Sequence, residues 1–321
     1  MIRKFALITT VATLALTACS KTEEAAPAAE VVQETVTTTV QSPETISQNT
    51  ALAIATSGVD TEKLDSILNA QPDTVKARYG SRNPGETLKF FGIEPGMTVI
   101  EILPGSGWYS KIVSPYLGSE GHVIGLDYDI KMWSEFGGFA TPEFIEKRKS
   151  WGQSWLETMA SDLPENSSQL SAYTLGSIPS ELNEQADMVL MIRALHNLAR
   201  FNDEGQYLDA ALARIYKSLK PGGIAGIVQH KAPAENEDDW ADGNNGYLKT
   251  SFVIAQMEKA GFGFVEASDV NENPRDVPSN TDNVWRLPPT LGTSRDDAEL
   301  RSKMELIGES SRMTLKFVKP K

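Results

Sequence analysis

Between residues 98 and 228, short β-branched runs alternate with helical segments, and most of the changes are marked by Gly or Pro. Thr98 to Leu103 reads as a buried strand, then Pro104-Gly-Ser-Gly turns the chain into a helix through Lys111, Ile112, Val113 and Leu117 that stops at Gly118. Pro115, late in that segment, is expected to kink or end it. Gly121 to Asp127 is a second strand closing on an acid. Ala172 to Leu175, Asp187 to Met191 and Ile224 to Val228 come next as strands three to five. In the segment 206–219, Leu208, Ala211, Leu212, Ile215 and Leu219 form one apolar helical face ended by Pro221-Gly-Gly. Strands that alternate with helices pair in parallel, because each crossover helix must pack back on the sheet. Helices near 59–68, 85–91 and 248–260, with strands over 262–267 and 313–318, complete the pattern, whereas 128–170 is read only as partly helical.

In an open parallel sheet, ligands sit beyond the carboxyl ends of the strands. A glycine bend between the first strand and its helix exposes backbone N–H groups and lets a ligand approach where no Cβ intrudes. Gly105, Ser106 and Gly107 form that bend, and Asp127 stands 20 residues beyond Gly107, placed to accept hydrogen bonds from ribose hydroxyls. A dinucleotide fingerprint would put glycine at Ser110, and Trp108 and Tyr109 crowd a pyrophosphate, so a nicotinamide-dependent oxidoreductase is the weaker reading. Glu101, inside the strand, is better explained by a ligand with an ammonium group. S-adenosyl-L-methionine has one, together with a carboxylate and a ribose. Asp187 lies at the opposite strand end and is read as structural.

On these residues, the stretch 88–228 resembles class I S-adenosylmethionine-dependent methyltransferases: VIEILPGSG is similar to their first motif, VIGLDYD to the second, ADMVLMIRALHNL to the fourth strand and the segment after it, and LKPGGIAGIVQ to the fifth. Over a longer span, RYGSRNPGETLKFFGIEPGM, NVWRLPP and GESSRMTLKFVKP resemble a group of predicted methyltransferases found in bacteria with export signals. The resemblance implies a Rossmann-like α/β fold, with a seven-stranded, mostly parallel sheet, its last strand antiparallel, and helices on both faces. It implies S-adenosyl-L-methionine held by Glu101, Gly105, Ser106, Gly107, Asp127 and Asn197, and a small-molecule methyl acceptor. His196 and His230, just past the fourth and fifth strands, are the candidates for a general base. Two departures stand out. Leu103-Pro104 replaces an expected glycine, and Thr174-Leu-Gly-Ser offers no adenine-binding acid. The rival reading is therefore a non-catalytic envelope protein that uses the inherited fold to bind another nucleoside or metabolite.

The N-terminus begins with Arg3 and Lys4, continues as a dozen apolar residues too short to span a bilayer, and closes on Leu16-Thr-Ala-Cys. That ending resembles the lipobox of bacterial lipoproteins. Residues 1–18 are read as a lipoprotein signal peptide. Residues 19–57, rich in Ala, Thr, Val, Glu and Pro, are read as a lipidated Cys19 and a disordered tether with a reach on the order of 35 Å. Residues 58–321 are then the methyltransferase-like domain. Acylated Cys19 would anchor the chain in a bilayer, and Ser20 after it favours an outer membrane with the domain facing the periplasm. Cys19 is the only cysteine and there are three histidines, which excludes a zinc site of the usual kind. The 43 acidic and 30 basic residues give a net charge of −13, against nucleic acid as a partner.

Overall fold

A computed structural model describes residues 58–321. Cys19 and the signal and tether segments lie outside the described residues. The seven strands are β1 (Thr98–Ile102), β2 (His122–Asp127), β3 (Gln169–Thr174), β4 (Ala186–Ile192), β5 (Leu219–His230), β6 (Gly263–Ser268) and β7 (Arg312–Val318). They form one sheet of order β3-β2-β1-β4-β5-β7-β6. The pairs among β1 to β5 are parallel, while β7 runs antiparallel to both β5 and β6. This is the fold class expected from the sequence.

Strand periodicity divides the core in two. Val99, Val123, Met188 and Leu190 face one side, against Leu64, Leu88, Ile112, Tyr116 and Trp155 from helices Thr61–Ala70, Pro84–Phe91, Ser110–Leu117 and Trp151–Asp162. Ile100, Ile124, Leu126, Val189 and Met191 face the other, against Leu195, Leu208, Leu212, Ile215 and Val253 from helices Leu195–Arg200, Tyr207–Ser218 and Thr250–Lys259. Gly92 and Gly118 end their helices in the positive-φ conformation expected of a glycine stop (φ 80° and 74°). Pro115 sits within the last turn of Ser110–Leu117, two residues before the end that Gly118 caps. Asp187 is structural as read: its carboxylate accepts from Thr98 N–H (2.8 Å) and Lys220 Nζ (2.6 Å).

Two expectations are corrected, and a third, that 128–170 is partly helical, is made specific. Leu219 is not the last helical residue but the first of β5, which runs through Pro221-Gly-Gly because its pairing with β4 shifts register between Ala186 and Met188. Strand β3 begins at Gln169 and ends at Thr174, three residues earlier at its start than read. The 128–170 stretch folds into a 3-10 turn, Ile130–Phe136, and helices Pro142–Lys149 and Trp151–Asp162. Its aromatic residues pack on one another, Trp133 on Phe136 (5.0 Å) and Trp151 on Trp155 (5.9 Å), which gives no simple periodicity to read.

Candidate active site

Strand order reverses between β1 and β4, and a cavity of about 440 Å3 opens beyond the carboxyl ends of β1, β4 and β5. Leu103 to Ser106 and Trp108 form one wall, and Arg193, His196 and Asn197 after β4 form a second. His230 lies at the end of β5, and Val284, Trp285 and Pro288 to Thr290 cover the far side. Arg78, Arg82, Glu309 and Ser310 close it.

Two strand ends are held in a left-handed conformation that costs a side chain energy, Leu103 (φ 53°) and Arg193 (φ 58°). Each is pinned by the neighbouring strand: Leu103 N–H donates to Leu126 O and Arg193 N–H to Val228 O, both at 2.7 Å. Leu103 thus takes the glycine-like backbone of the motif without being glycine. Gly105 (φ 60°) has open space where a Cβ would be, whereas a Cβ on Gly107 (φ 76°) would strike the Met159 side chain at 2.5 Å. Gly107 N–H donates to Pro104 O (2.9 Å), but the N–H groups of Gly105 and Ser106 donate to no described residue.

The two acids singled out in the sequence lie behind the cavity wall, not on it. Glu101 is buried under the bend and accepts a hydrogen bond from Ser110 Oγ at 2.5 Å, and burial pushes its carboxyl up to about 7. Asp127 is fully buried, with Arg148 Nη2 and Trp133 Nε1 (3.2 Å) on its Oδ2 and, among the described residues, no hydrogen-bond partner on its Oδ1. Burial raises its pKa against the lowering effect of Arg148. Arg148 also lies over the Trp133 ring at 4.4 Å.

The histidines do meet, with ring centroids 5.4 Å apart. Gln229 Nε2 donates to Gly246 O (3.0 Å), so its Oε1 is the end that faces His196. That oxygen accepts from His196 backbone N–H (3.3 Å) and Nδ1 (3.2 Å), which leaves the Nε2 lone pair of His196 free to take a proton. His230 Nδ1 is 2.6 Å from Ser310 Oγ. Burial lowers His196 to about 4, with Arg193 and Arg200 adding to the fall, and holds His230 well below the ordinary imidazole range. Asn197 lines the cavity while its amide donates to Tyr128 Oη (3.3 Å). Among the aromatic residues, Trp108 and Trp285 line the cavity, whereas Tyr109 and Tyr247 are core.

The sign of the His196 shift gives a stability prediction. Between pH 6.5 and about 4 the unfolded chain binds a proton that the folded chain refuses, so stability falls as pH falls through this window. The contribution approaches about 3 kcal/mol. His196→Gln should flatten the pH dependence of urea unfolding between pH 6.5 and 4.5, and an unchanged slope would show that the imidazole is not excluded from protonation.

No protein-family model matches the chain. Among curated proteins, a 2-phytyl-1,4-naphtoquinone methyltransferase of Nostoc sp. (strain PCC 7120) is 26% identical over 122 residues, 38% of this chain and 50% of that protein. A ribosomal RNA small subunit methyltransferase H of Solidesulfovibrio magneticus is 37% identical over 57 residues, 18% of each. The chain therefore spans half the length, or less, of these relatives. Among solved structures, a SAM-dependent methyltransferase from Aquifex aeolicus covers 81% of this chain and is itself covered to 99%, at 16% identity and a TM-score of 0.45. A Haemonchus contortus phospholethanolamine N-methyltransferase 2 covers 75% of this chain and is covered to 53%, at 17% identity and a TM-score of 0.41. By its sheet order and its curated matches, the chain has the fold of class I S-adenosylmethionine-dependent methyltransferases.

Proposed function

We propose that the chain is an S-adenosylmethionine-dependent methyltransferase acting on a small molecule, anchored in the cell envelope through Cys19. The observation that carries the enzymatic reading is the bend at Gly105 and Ser106. Its two free N–H groups and open Cβ space lie at the mouth of the cavity, beside a histidine with a free ring nitrogen. The residues fit the cofactor. Gly105 and Ser106 would receive its amino-acid tail; Glu101 and Asp127 are buried behind the wall, and would meet its ammonium group and ribose only if the bend and Arg148 move aside. When bound, S-adenosylmethionine supplies a methyl group on a sulfonium, open to in-line displacement. The protein's part is positioning: Trp108 and Trp285 exclude water, and Asn197 orients what lies beside it. His196 Nε2 takes the proton of an O–H or N–H nucleophile. Neutral across the physiological range, it needs no prior deprotonation, but the burial that keeps it neutral also makes it a weak base, so it accepts a proton that the nucleophile releases as the new bond forms.

Calorimetric titration of the detergent-solubilised protein with S-adenosylmethionine tests this reading. Micromolar binding, lost in Asp127→Ala, is expected. One observation favours the non-catalytic rival: Arg148 already occupies one oxygen of Asp127, and no heat at millimolar ligand would decide for it. For the anchor, Cys19→Ala should move the protein from the membrane to the soluble fraction, and retention in the membrane would refute acylation there.

A further inference from the structure

In a chain of net charge −13, the cavity beside the glycine bend is cationic. Arg78, Arg82 and Arg193 line it and Arg312 lies buried behind them. The one carboxylate among the lining residues is Glu309, which accepts from Arg78 Nε (2.7 Å) and Arg312 Nη2 (2.6 Å) and stands 3.9 Å from Arg82 Nε.

The four arginines are not alike. Arg312 is saturated, with Nη1 on Ser81 O (3.1 Å) and Nη2 on Glu309, as expected of a structural cation. Arg82 is 5% exposed, stacked on Trp108 at 4.4 Å, and donates no side-chain hydrogen bond to any described residue. Arg193 also donates none, and its Nε is buried without a partner. Burial and mutual repulsion pull Arg82 to about 9 and Arg193 to about 10. A buried polar group without a hydrogen-bond partner is costly, and here the Nε–H of two guanidinium groups is left so on one cavity, among the described residues. Arg193 in addition sits on strained backbone that β5 enforces.

We propose that Arg82 and Arg193 receive an acidic group, a carboxylate or phosphate, of the methyl acceptor, which presents its nucleophile to His196. The inference rests on the methyltransferase reading only for the word acceptor, and the anion site itself does not depend on it. A planar guanidinium matches either oxyanion in a two-pronged contact, and two of them facing one cavity select an anion over a neutral ligand.

Two sources of the anion must be separated, the acceptor and the carboxylate of the methyl donor. The probe is inorganic phosphate, titrated into the detergent-solubilised full-length protein at fixed ionic strength, with and without saturating S-adenosylhomocysteine. We expect millimolar phosphate binding that persists when S-adenosylhomocysteine is bound. Arg193→Gln and Arg82→Gln should each weaken phosphate by about tenfold or more, Arg193→Lys should weaken it less, and the affinity for S-adenosylhomocysteine should change less than about twofold. Circular dichroism of each variant identifies any that fails to fold, and the charge-keeping Arg193→Lys then carries the test. Absence of phosphate binding to the native protein would overturn the proposal. So would competition between phosphate and S-adenosylhomocysteine, because the arginines would then belong to the donor. Phosphate binding without any S-adenosylhomocysteine binding would uphold the anion site and remove the methyltransferase reading.

Discussion

Replacing Glu101 by glutamine is expected to stabilise the protein at pH 8 by up to about 3 kcal/mol and to leave it unchanged at pH 4.5. The carboxyl is 4% exposed, its hydrogen-bond partner is a hydroxyl, and its pKa rises from the ordinary 4.5 to about 7 because burial disfavours the charged form. Between these values the folded chain binds a proton that the unfolded chain has lost. Stability from this group is therefore complete below pH 4.5 and lost as pH rises through 7. Glutamine accepts from Ser110 Oγ equally well and carries no charge at any pH. Urea midpoints of the two proteins should diverge only above pH 5, and equal midpoints at pH 8 would show that the carboxylate is compensated in the native protein. A residue that costs stability where it stands fits a place reserved for a cation. The same variant should accordingly lose affinity for S-adenosylmethionine.

Asp276→Asn should cost about 3 to 5 kcal/mol, since it breaks a buried ion pair by neutralising one partner. The Asp276 carboxylate accepts from Arg286 Nη2 (2.9 Å), from Tyr247 Oη (3.0 Å to Oδ2) and from Ser311 N–H (2.9 Å). An asparagine amide keeps the shape but offers hydrogens to one set of donors and leaves Arg286 with Asp282, at 3.2 Å, as its remaining carboxylate and Tyr247 Oη, at 3.3 Å, as a neutral acceptor. This carboxylate joins the Val284–Arg286 turn, which walls the cavity, to the residues that lead into β7. Phosphate affinity should fall along with stability. A loss below about 1 kcal/mol would mean that Asp282 and Tyr247 suffice to hold Arg286.

The sheet was legible because its strands are short buried runs bounded by Gly, Pro or an acid. Thr98–Ile102, His122–Asp127 and Ala186–Ile192 fall within a residue of their expected limits. The two histidines and the glycine bend were placed on one cavity by the same logic, as residues just past adjacent strand ends. What the chain does not disclose locally is charge assembled from afar. Arg78, Arg82 and Glu309 meet across more than two hundred residues, and no spacing rule relates them. A signal did exist, since RYGSR and GESSR lie in the stretches that carried the longer resemblance, but nothing in either names its partner. Nor could the burial of Asp127 be read, because it depends on Arg148 from a helix with no apolar face turned fully inward.

Strand β7 is the last of the seven described strands in sequence yet sits between β5 and β6. Until residues 312–318 are available, β6 has nothing to pair with and β5 has a bare edge, so the sheet cannot close before β7 has been made. The same strand brings Arg312, and the turn before it Glu309, to the cationic cavity. Shape and ligand pocket are therefore acquired in one late event. A nascent chain that stops short of residue 312 would hold neither the closed sheet nor the arginine cluster.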